Sequence, residues 1–388
     1  MILKIRKPRD SEMIFFSALF LWVLQSYMIQ TDFLKFYGYF PCTVVRLMSL
    51  SLFAFKILFL DKKYSRLIFF FSVICLTVSI MVQFTTVETT INTFLNVFII
   101  IMSARNISFE RIVRFIFIVS GLGFIITVSF AFVGVLNNSA LIIENKKRYY
   151  LGFDYVSFAS IYLVNIILSG FYIYTIKRKK SLPWIYIVFA VMVDIFIYLL
   201  TSTRLTFGIV LMFICLYIIV EKLHIPLFKE KRIWKIISIV LFPVMGIITC
   251  WISYLYNSTD VKWIILNKLL SNRLLLNKRA LTVYGLKWFG QVIEFNTNFS
   301  SGIDNYMYID SGYMNLLIQY GIVAFIVVLT IYSFVFWNAM KREDNVLVIW
   351  LLCICIYNVV NGMLLNPVTN SSLFAVWMFQ QDLKRKEI

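Results

Sequence analysis

Charge is scarce in this chain. Of 388 residues only 14% are Asp, Glu, Lys or Arg, while 61% are apolar. A soluble globular chain is roughly half apolar and a quarter charged, so this one has too few polar residues to cover a water-facing surface. Histidine is scarcer still, with His224 the only one. That excludes a His-based metal cluster. A Ser-His-Asp triad would have to use His224, which lies beside basic residues at the end of an apolar run and reads as an interfacial helix-end residue. The six cysteines, Cys42, Cys75, Cys215, Cys250, Cys353 and Cys355, all lie within apolar runs. None forms a spaced pair in a polar loop, which excludes a disulfide framework and a zinc site. Apolar–polar alternation is missing too. Runs such as 73–82 and 322–336 are continuous, unlike the strands of an outer-membrane barrel. There is no internal repeat. No small-residue cleavage site follows the basic start MILKIRKPRD, so the first apolar run is expected to be a retained span and not a signal peptide.

What is present is apolar length. Mean hydropathy is +0.84, and a bilayer-spanning helix needs about 20 mostly apolar residues. Twelve runs qualify, at 13–29, 39–60, 67–84, 87–104, 112–136, 155–176, 182–201, 205–221, 234–255, 311–337, 346–365 and 368–380. They predict an all-α polytopic membrane protein of about twelve transmembrane helices, forming a single integral membrane domain over 1–388. One large loop, 256–310, joins the ninth and tenth runs.

Lys and Arg mark the cytoplasmic loops of such proteins. With the N-terminus inside, 24 of the 37 fall in inside segments, eleven outside, and two, Arg46 and Lys56, within a span. Both termini are therefore expected to be cytoplasmic. The net charge of +18 is mostly this topogenic signal and does not call for nucleic acid. Nine of the eleven outer cations sit in two places: Lys146, Lys147 and Arg148, and then Lys262, Lys268, Arg273, Lys278, Arg279 and Lys287. Lys35 and Arg204 complete the set. Loops near 60 residues escape the charge rule, which permits the second group. It does not explain Lys146–Arg148 in a short loop. An anionic ligand on that side does.

In 256–310 apolar residues at helical spacing interleave with these cations, the pattern of amphipathic helices at the membrane interface. Such a loop is either a lid packed on the bundle or a lid that holds a lipid-linked anion, with Arg meeting phosphate in forked geometry. Ser271 is placed to cap a short helix, and Gly302 and Asp304 mark a turn. Asp310 precedes the tenth run, either as a helix cap or as a functional acid. Arg204 follows a minimal turn, Thr201-Ser202-Thr203, which sets it at the outer rim. Asp194 is the only acid well inside a span, and Arg46 the only Arg. Intramembrane charges seek a partner or a polar cavity, so an Asp194–Arg46 pair is one expectation, structural or functional.

Several stretches in this order resemble the Wzy-type O-antigen and capsular polysaccharide polymerases. They are Arg148-Tyr149-Tyr150-Leu151-Gly152-Phe153, Thr203-Arg204-Leu205-Thr206, Ser271-Asn272-Arg273, Tyr284-Gly285 through Phe289-Gly290, Asp310-Ser311-Gly312-Tyr313 and Tyr320-Gly321-Ile322. The resemblance extends to the span number and the late outer loop. It implies a polymerase that joins undecaprenyl-pyrophosphate-linked oligosaccharide repeat units at the outer face of the cytoplasmic membrane. The growing glycan leaves its pyrophosphate carrier for a hydroxyl of the incoming repeat. Such a transfer needs positive charge where the leaving group develops negative charge. Arg204, Arg273 and Arg279 are the expected catalytic cations, with Asp310 the first choice of base ahead of Asp154, Glu294 and Asp304. Arg148, Lys278 and Tyr313 are the expected substrate-binding residues. No cofactor and no protein-held metal are expected. A chain-length regulator and a flippase are the expected protein partners. The alternatives are an O-antigen ligase-like glycosyltransferase, disfavoured by the lack of an outer histidine, and a lipid-linked oligosaccharide flippase or transporter.

Overall fold

The computed structural model describes residues 8–61, 66–86, 94–143, 146–178, 180–228, 232–296 and 306–379. Lys4, Arg6, Lys7, Lys62, Lys63, Lys179, Lys229, Lys231, Lys384, Arg385 and Lys386 of the charge count lie outside the described residues, as do Gly302 and Asp304. The protein is 74% helical. In chain order the elements are α1 (Pro8–Ile29), α2 (Phe33–Tyr37), α3 (Tyr39–Phe55), α4 (Arg66–Thr85), α5 (Phe94–Ser103) and α6 (Phe109–Val133). A hairpin follows, β1 (Ala140–Ile143) and β2 (Lys146–Tyr149). Then come α7 (Phe158–Arg178), α8 (Trp184–Thr201), α9 (Arg204–Tyr217), α10 (Arg232–Leu255), α11 (Val261–Leu269), α12 (Arg273–Tyr284), α13 (Gly312–Ile318), α14 (Gly321–Lys341) and α15 (Asn345–Tyr357). Among the described residues, nine helical stretches are long and apolar enough to cross a membrane. The chain is thus a multi-pass membrane protein.

Local signals explain the helix ends. Ser108 caps α6, accepting from the Arg111 amide, and Gly134 ends it in the left-handed conformation. Asp344 caps α15 through the Leu347 amide. Pro243 sits inside α10, as membrane helices tolerate.

Three apolar runs are realised differently from their sequence ranges. The run 311–337 divides at Gly321, whose φ is +91°, into α13 and α14. The run 346–365 yields α15, 13 residues long and so about 20 Å, short of the ~30 Å hydrocarbon core. The run 368–380 contains a 3₁₀ turn, Ser371–Trp377. Between these two short helical pieces the chain runs irregularly from Asn358 to Asn370, yet it is largely buried. Such backbone survives at membrane depth only when protein covers it and satisfies its polar groups. Here Asn165 of α7 donates to the Val368 carbonyl at 2.9 Å, and its carbonyl oxygen accepts from the Ser371 amide and hydroxyl. Asn370 donates to the Tyr332 hydroxyl of α14, which donates to the Leu364 carbonyl, each at 2.7 Å.

At one end of the bundle α3 widens into a π-helical turn, Lys56–Leu60. Its Lys56 is fully buried and pairs with Asp61 at 2.7 Å. Lys56 also donates to the Arg105 carbonyl, and Arg105 donates to the Asp61 carbonyl. His224 lies at this same end, in the turn after α9 with φ +52°. The expected Asp194–Arg46 pair does not form among the described residues. Asp194 faces inward from α8 and is buried, and its Oδ2 has no hydrogen-bond partner there.

Candidate functional site

The opposite end of the bundle collects the cations singled out from the sequence. Lys146–Arg148 is not an irregular loop. It forms one arm of a hairpin in which Leu141 pairs with Arg148. The hairpin packs on α8, and Arg148 donates from Nε to the Thr201 carbonyl at 2.9 Å. That carbonyl belongs to the last turn of α8, where the helix lacks its own donors and a cation is favoured. The chain then turns through Ser202, at φ +52°, with the Thr201 and Thr203 hydroxyls 2.7 Å apart. Arg204 opens α9 with its side chain exposed.

Arg273 opens α12. The reversal before it uses two left-handed residues, Ser271 at φ +53° and Asn272 at φ +65°. Ser271 is not the cap that the sequence implied. Asn272 holds that position, without a capping side-chain bond. Asn267 of α11 does the work instead. It accepts from the Leu275 amide and donates to the Asn272 side chain. Thus held, Arg273 donates to the Ser271 carbonyl at 2.6 Å and to the Val360 carbonyl at 3.4 Å. Its Nη2 lies 3.3 Å from Asp310 Oδ2, each side chain about one-quarter exposed.

Asp310 does not cap α13. Ser311 occupies that position. A capping carboxylate would be held below its usual range, but Asp310 is pushed above it by burial, with Arg273 opposing the shift. Burial likewise lowers the Arg148 guanidinium, and Arg273 and Arg204 add to that lowering. Arg148, Arg204, Arg273 and Asp310 therefore share one electrostatic neighbourhood. Tyr155, Tyr306 and Tyr308 share it as well. Burial raises each phenol, Asp310 adds to the rise, and Arg273 opposes it. The sequence reading missed these three tyrosines. Alternation carried a signal for two of them, since the segment 306–310 passes an isolated bridge between Met307 and Asn296. That places Tyr306, Tyr308 and Asp310 on one side and the buried Ile309 on the other.

The remaining expected residues are placed apart. Arg279 donates from Nη1 to the Tyr306 carbonyl at 2.8 Å, so it supports the segment that carries Asp310. Lys278 donates to the Tyr256 carbonyl and ties α12 to the end of α10. Tyr313 is fully buried, and its hydroxyl donates to the Cys355 carbonyl at 2.9 Å. It belongs to the wall between α13 and α15, away from any open surface, because α13 turns that face into the bundle. Asp154 is engaged by Lys35 at 2.8 Å, and Asp32 meets the same ammonium. These two carboxylates hold Lys35 above its usual range, Asp154 more strongly. Glu294 is exposed.

Below Arg273 lies an apolar crevice of about 170 Å³ between α10, α12 and Val359. Met245, Ile248 and Ile252 of α10 line it, with Leu274 above. The residues at 285–291 close over the start of α14. The Ile322 and Val323 amides donate to the Lys287 and Trp288 carbonyls at 3.0 Å, satisfying donors that a helix start leaves open. The two segments touch at paired glycines. A Cβ on Gly290 would stand 2.2 Å from the Gln319 carbonyl oxygen, and one on Gly321 would stand 2.3 Å from the Gly290 nitrogen.

Comparisons with protein-family models, with curated proteins and with solved structures returned no match.

Proposed function

We propose that the chain is a membrane glycosyltransferase of the polysaccharide-polymerase type, joining repeat units carried on undecaprenyl pyrophosphate. The observation that carries this reading is a set of three neighbouring guanidinium groups, Arg148, Arg204 and Arg273, of which Arg273 both pairs with the recessed carboxylate of Asp310 and lines an apolar crevice. A lipid-linked pyrophosphate has the matching two parts, a doubly charged head and an apolar tail. In this reading the glycan C1–O(phosphate) bond breaks and a C1–O bond forms to the acceptor hydroxyl. Arg148, Arg204 and Arg273 neutralise the departing pyrophosphate, Arg279 holds the Tyr306 segment in place, and Asp310 takes the hydroxyl proton. Burial makes Asp310 a stronger base than an exposed carboxylate. Tyr155, Tyr306 and Tyr308 offer ring faces and hydroxyls to the sugars. No cofactor enters the step. The proposal includes twelve crossings of the cytoplasmic membrane with both termini cytoplasmic, and 256–310 as an outer lid. A chain-length regulator and a flippase are its proposed protein partners.

A second reading, transport of a lipid-linked oligosaccharide, draws on the two short helical pieces that meet at the buried irregular stretch 358–370, since broken helices carry the sites of many transporters. Reconstitution into vesicles with a lipid-linked repeat separates the two. A polymerase lengthens the glycan, whereas a transporter moves it across at constant length. Arg204→Ala and Arg279→Ala are expected to lower chain extension by about a hundredfold or more while the protein still accumulates. Lysine is expected to rescue poorly, lacking the planar fork. Normal chain length in Arg204→Ala, or no extension by the unaltered protein, would refute the assignment.

A further inference from the structure

Helix α11 leaves one face without a protein partner. Its inward side is fixed by Asn267 and by Trp263, whose ring packs against Tyr256. The outward side exposes Val261, Ile265 and Leu269 at 67%, 55% and 69%. Lys262 and Lys268 are exposed on the same side, and neither forms an ion pair among the described residues. At about 100° per residue the three apolar side chains fall within roughly 80° of one another, and the two lysines stand about 20° beyond either edge. An apolar stripe with a lysine on each flank is suited to a boundary between acyl chains and anionic headgroups. The stems lie along the apolar layer, and the ammonium groups reach the phosphates.

Position fixes the level. Helix α10 ends at Leu255 and α11 begins at Val261, so five residues separate α11 from a membrane-crossing helix. Trp251 and Tyr254 are exposed on the last turns of α10. Aromatic residues of this kind mark the headgroup layer. Nine residues, about 14 Å, cannot cross the bilayer.

We infer that α11 lies in the headgroup layer as an anionic-phospholipid-binding helix, which anchors the segment carrying Arg273 to the membrane surface. This depends on the chain spanning a membrane and is independent of the glycosyl-transfer reading.

The test uses the full chain in nanodiscs of phosphatidylcholine, with and without one-third phosphatidylglycerol. The photoreactive residue benzoylphenylalanine replaces Ile265 in one variant and Trp263 in another. At 265 the expected product is a phospholipid adduct enriched in phosphatidylglycerol. At 263 it is a crosslink within the chain, which also reports that the segment is folded. Combining Lys262→Gln and Lys268→Gln should lower the phosphatidylglycerol enrichment at 265 by roughly fivefold or more, since one lysine near an anionic surface is worth about that factor. Adducts with a protein chain at 265, or no adduct, would overturn the inference. So would an enrichment that survives the double lysine substitution.

Discussion

At one end of the bundle Lys56 and Asp61 meet at 2.7 Å with 0% and 4% of their side chains exposed. At the other, Arg273 and Asp310 meet at 3.3 Å with 24% and 23% exposed. The first pair is closed. The Arg105 carbonyl accepts from Lys56, and the Arg105 guanidinium donates to the Asp61 carbonyl, so the end of α3 and the α5–α6 connection are tied by groups that satisfy one another. At the second pair Arg273 meets one carboxylate and also neighbours two further guanidinium groups, Arg148 and Arg204, within reach of solvent. The same residue types are sealed from solvent in one place and left open to it in the other. The difference lies in the balance of charge and in access, and not in the kinds of side chain.

The largest effect should come from opening the closed pair. Asp61→Ala leaves the buried Lys56 ammonium without its carboxylate, and breaking a buried pair from one side costs about 3–5 kcal/mol. The variant is expected to accumulate poorly and to melt far earlier by fluorescence-detected size exclusion. Asp310→Ala removes a partly exposed partner and should change melting by less than about 1 kcal/mol. Equal losses in the two variants would erase the contrast between the ends.

A smaller, local effect is expected at the glycine contact. In Gly290→Ala the new methyl meets the Gln319 carbonyl at a backbone φ of +87°, a strain of roughly 1–3 kcal/mol. Hydrogen exchange should speed up at the Ile322 and Val323 amides and stay unchanged around Lys56 and Arg105. Faster exchange at both ends would mean that the ends are one cooperative unit.

The smallest effect sharpens the role of Asp310. A base works unprotonated, so activity should fall as pH drops through its raised pKa. Arg273 is the charge that opposes that rise. In Arg273→Gln the pKa climbs further, and the acid limb of the residual activity moves to higher pH. In Asp310→Asn the limb should vanish along with most of the rate. An acid limb that stays in place in Arg273→Gln would remove Asp310 from the proton transfer.

Much of the helical architecture was legible because continuous apolar runs act locally, as in the runs 182–201 and 234–255 that became α8 and α10. The short turn Thr201–Thr203 likewise set Arg204 at a helix junction. The route by which Arg148 reaches Thr201 was not legible, since a four-residue strand in a membrane protein leaves almost no periodic trace. Nor was the role of Asn267, which looks like any polar residue on a short helix until Asn272 and Leu275 are folded back onto it. The run 346–365 read as one span because Asn358 and Asn361 are two polar residues in an apolar stretch. The irregular stretch that follows is held by partners distant in sequence, Asn165 at Val368 and Ser371 above all, which no local pattern contains.

The covered stretch from Asn358 to Asn370 bears on the order of synthesis. Its four asparagines, Thr369 and its non-helical backbone carbonyls would each carry a penalty of several kcal/mol in bare hydrocarbon, so it is not suited to enter lipid sideways as an ordinary helix. It needs Asn165 and Tyr332 already in place, and both α7 and α14 emerge from the ribosome before it. The walls must therefore stand in the membrane first, and the stretch threads into a bundle that already exists. Quality control in the cell would meet a chain that is inserted yet unfinished, with an open polar seam between α7 and α14, until this last piece seals it.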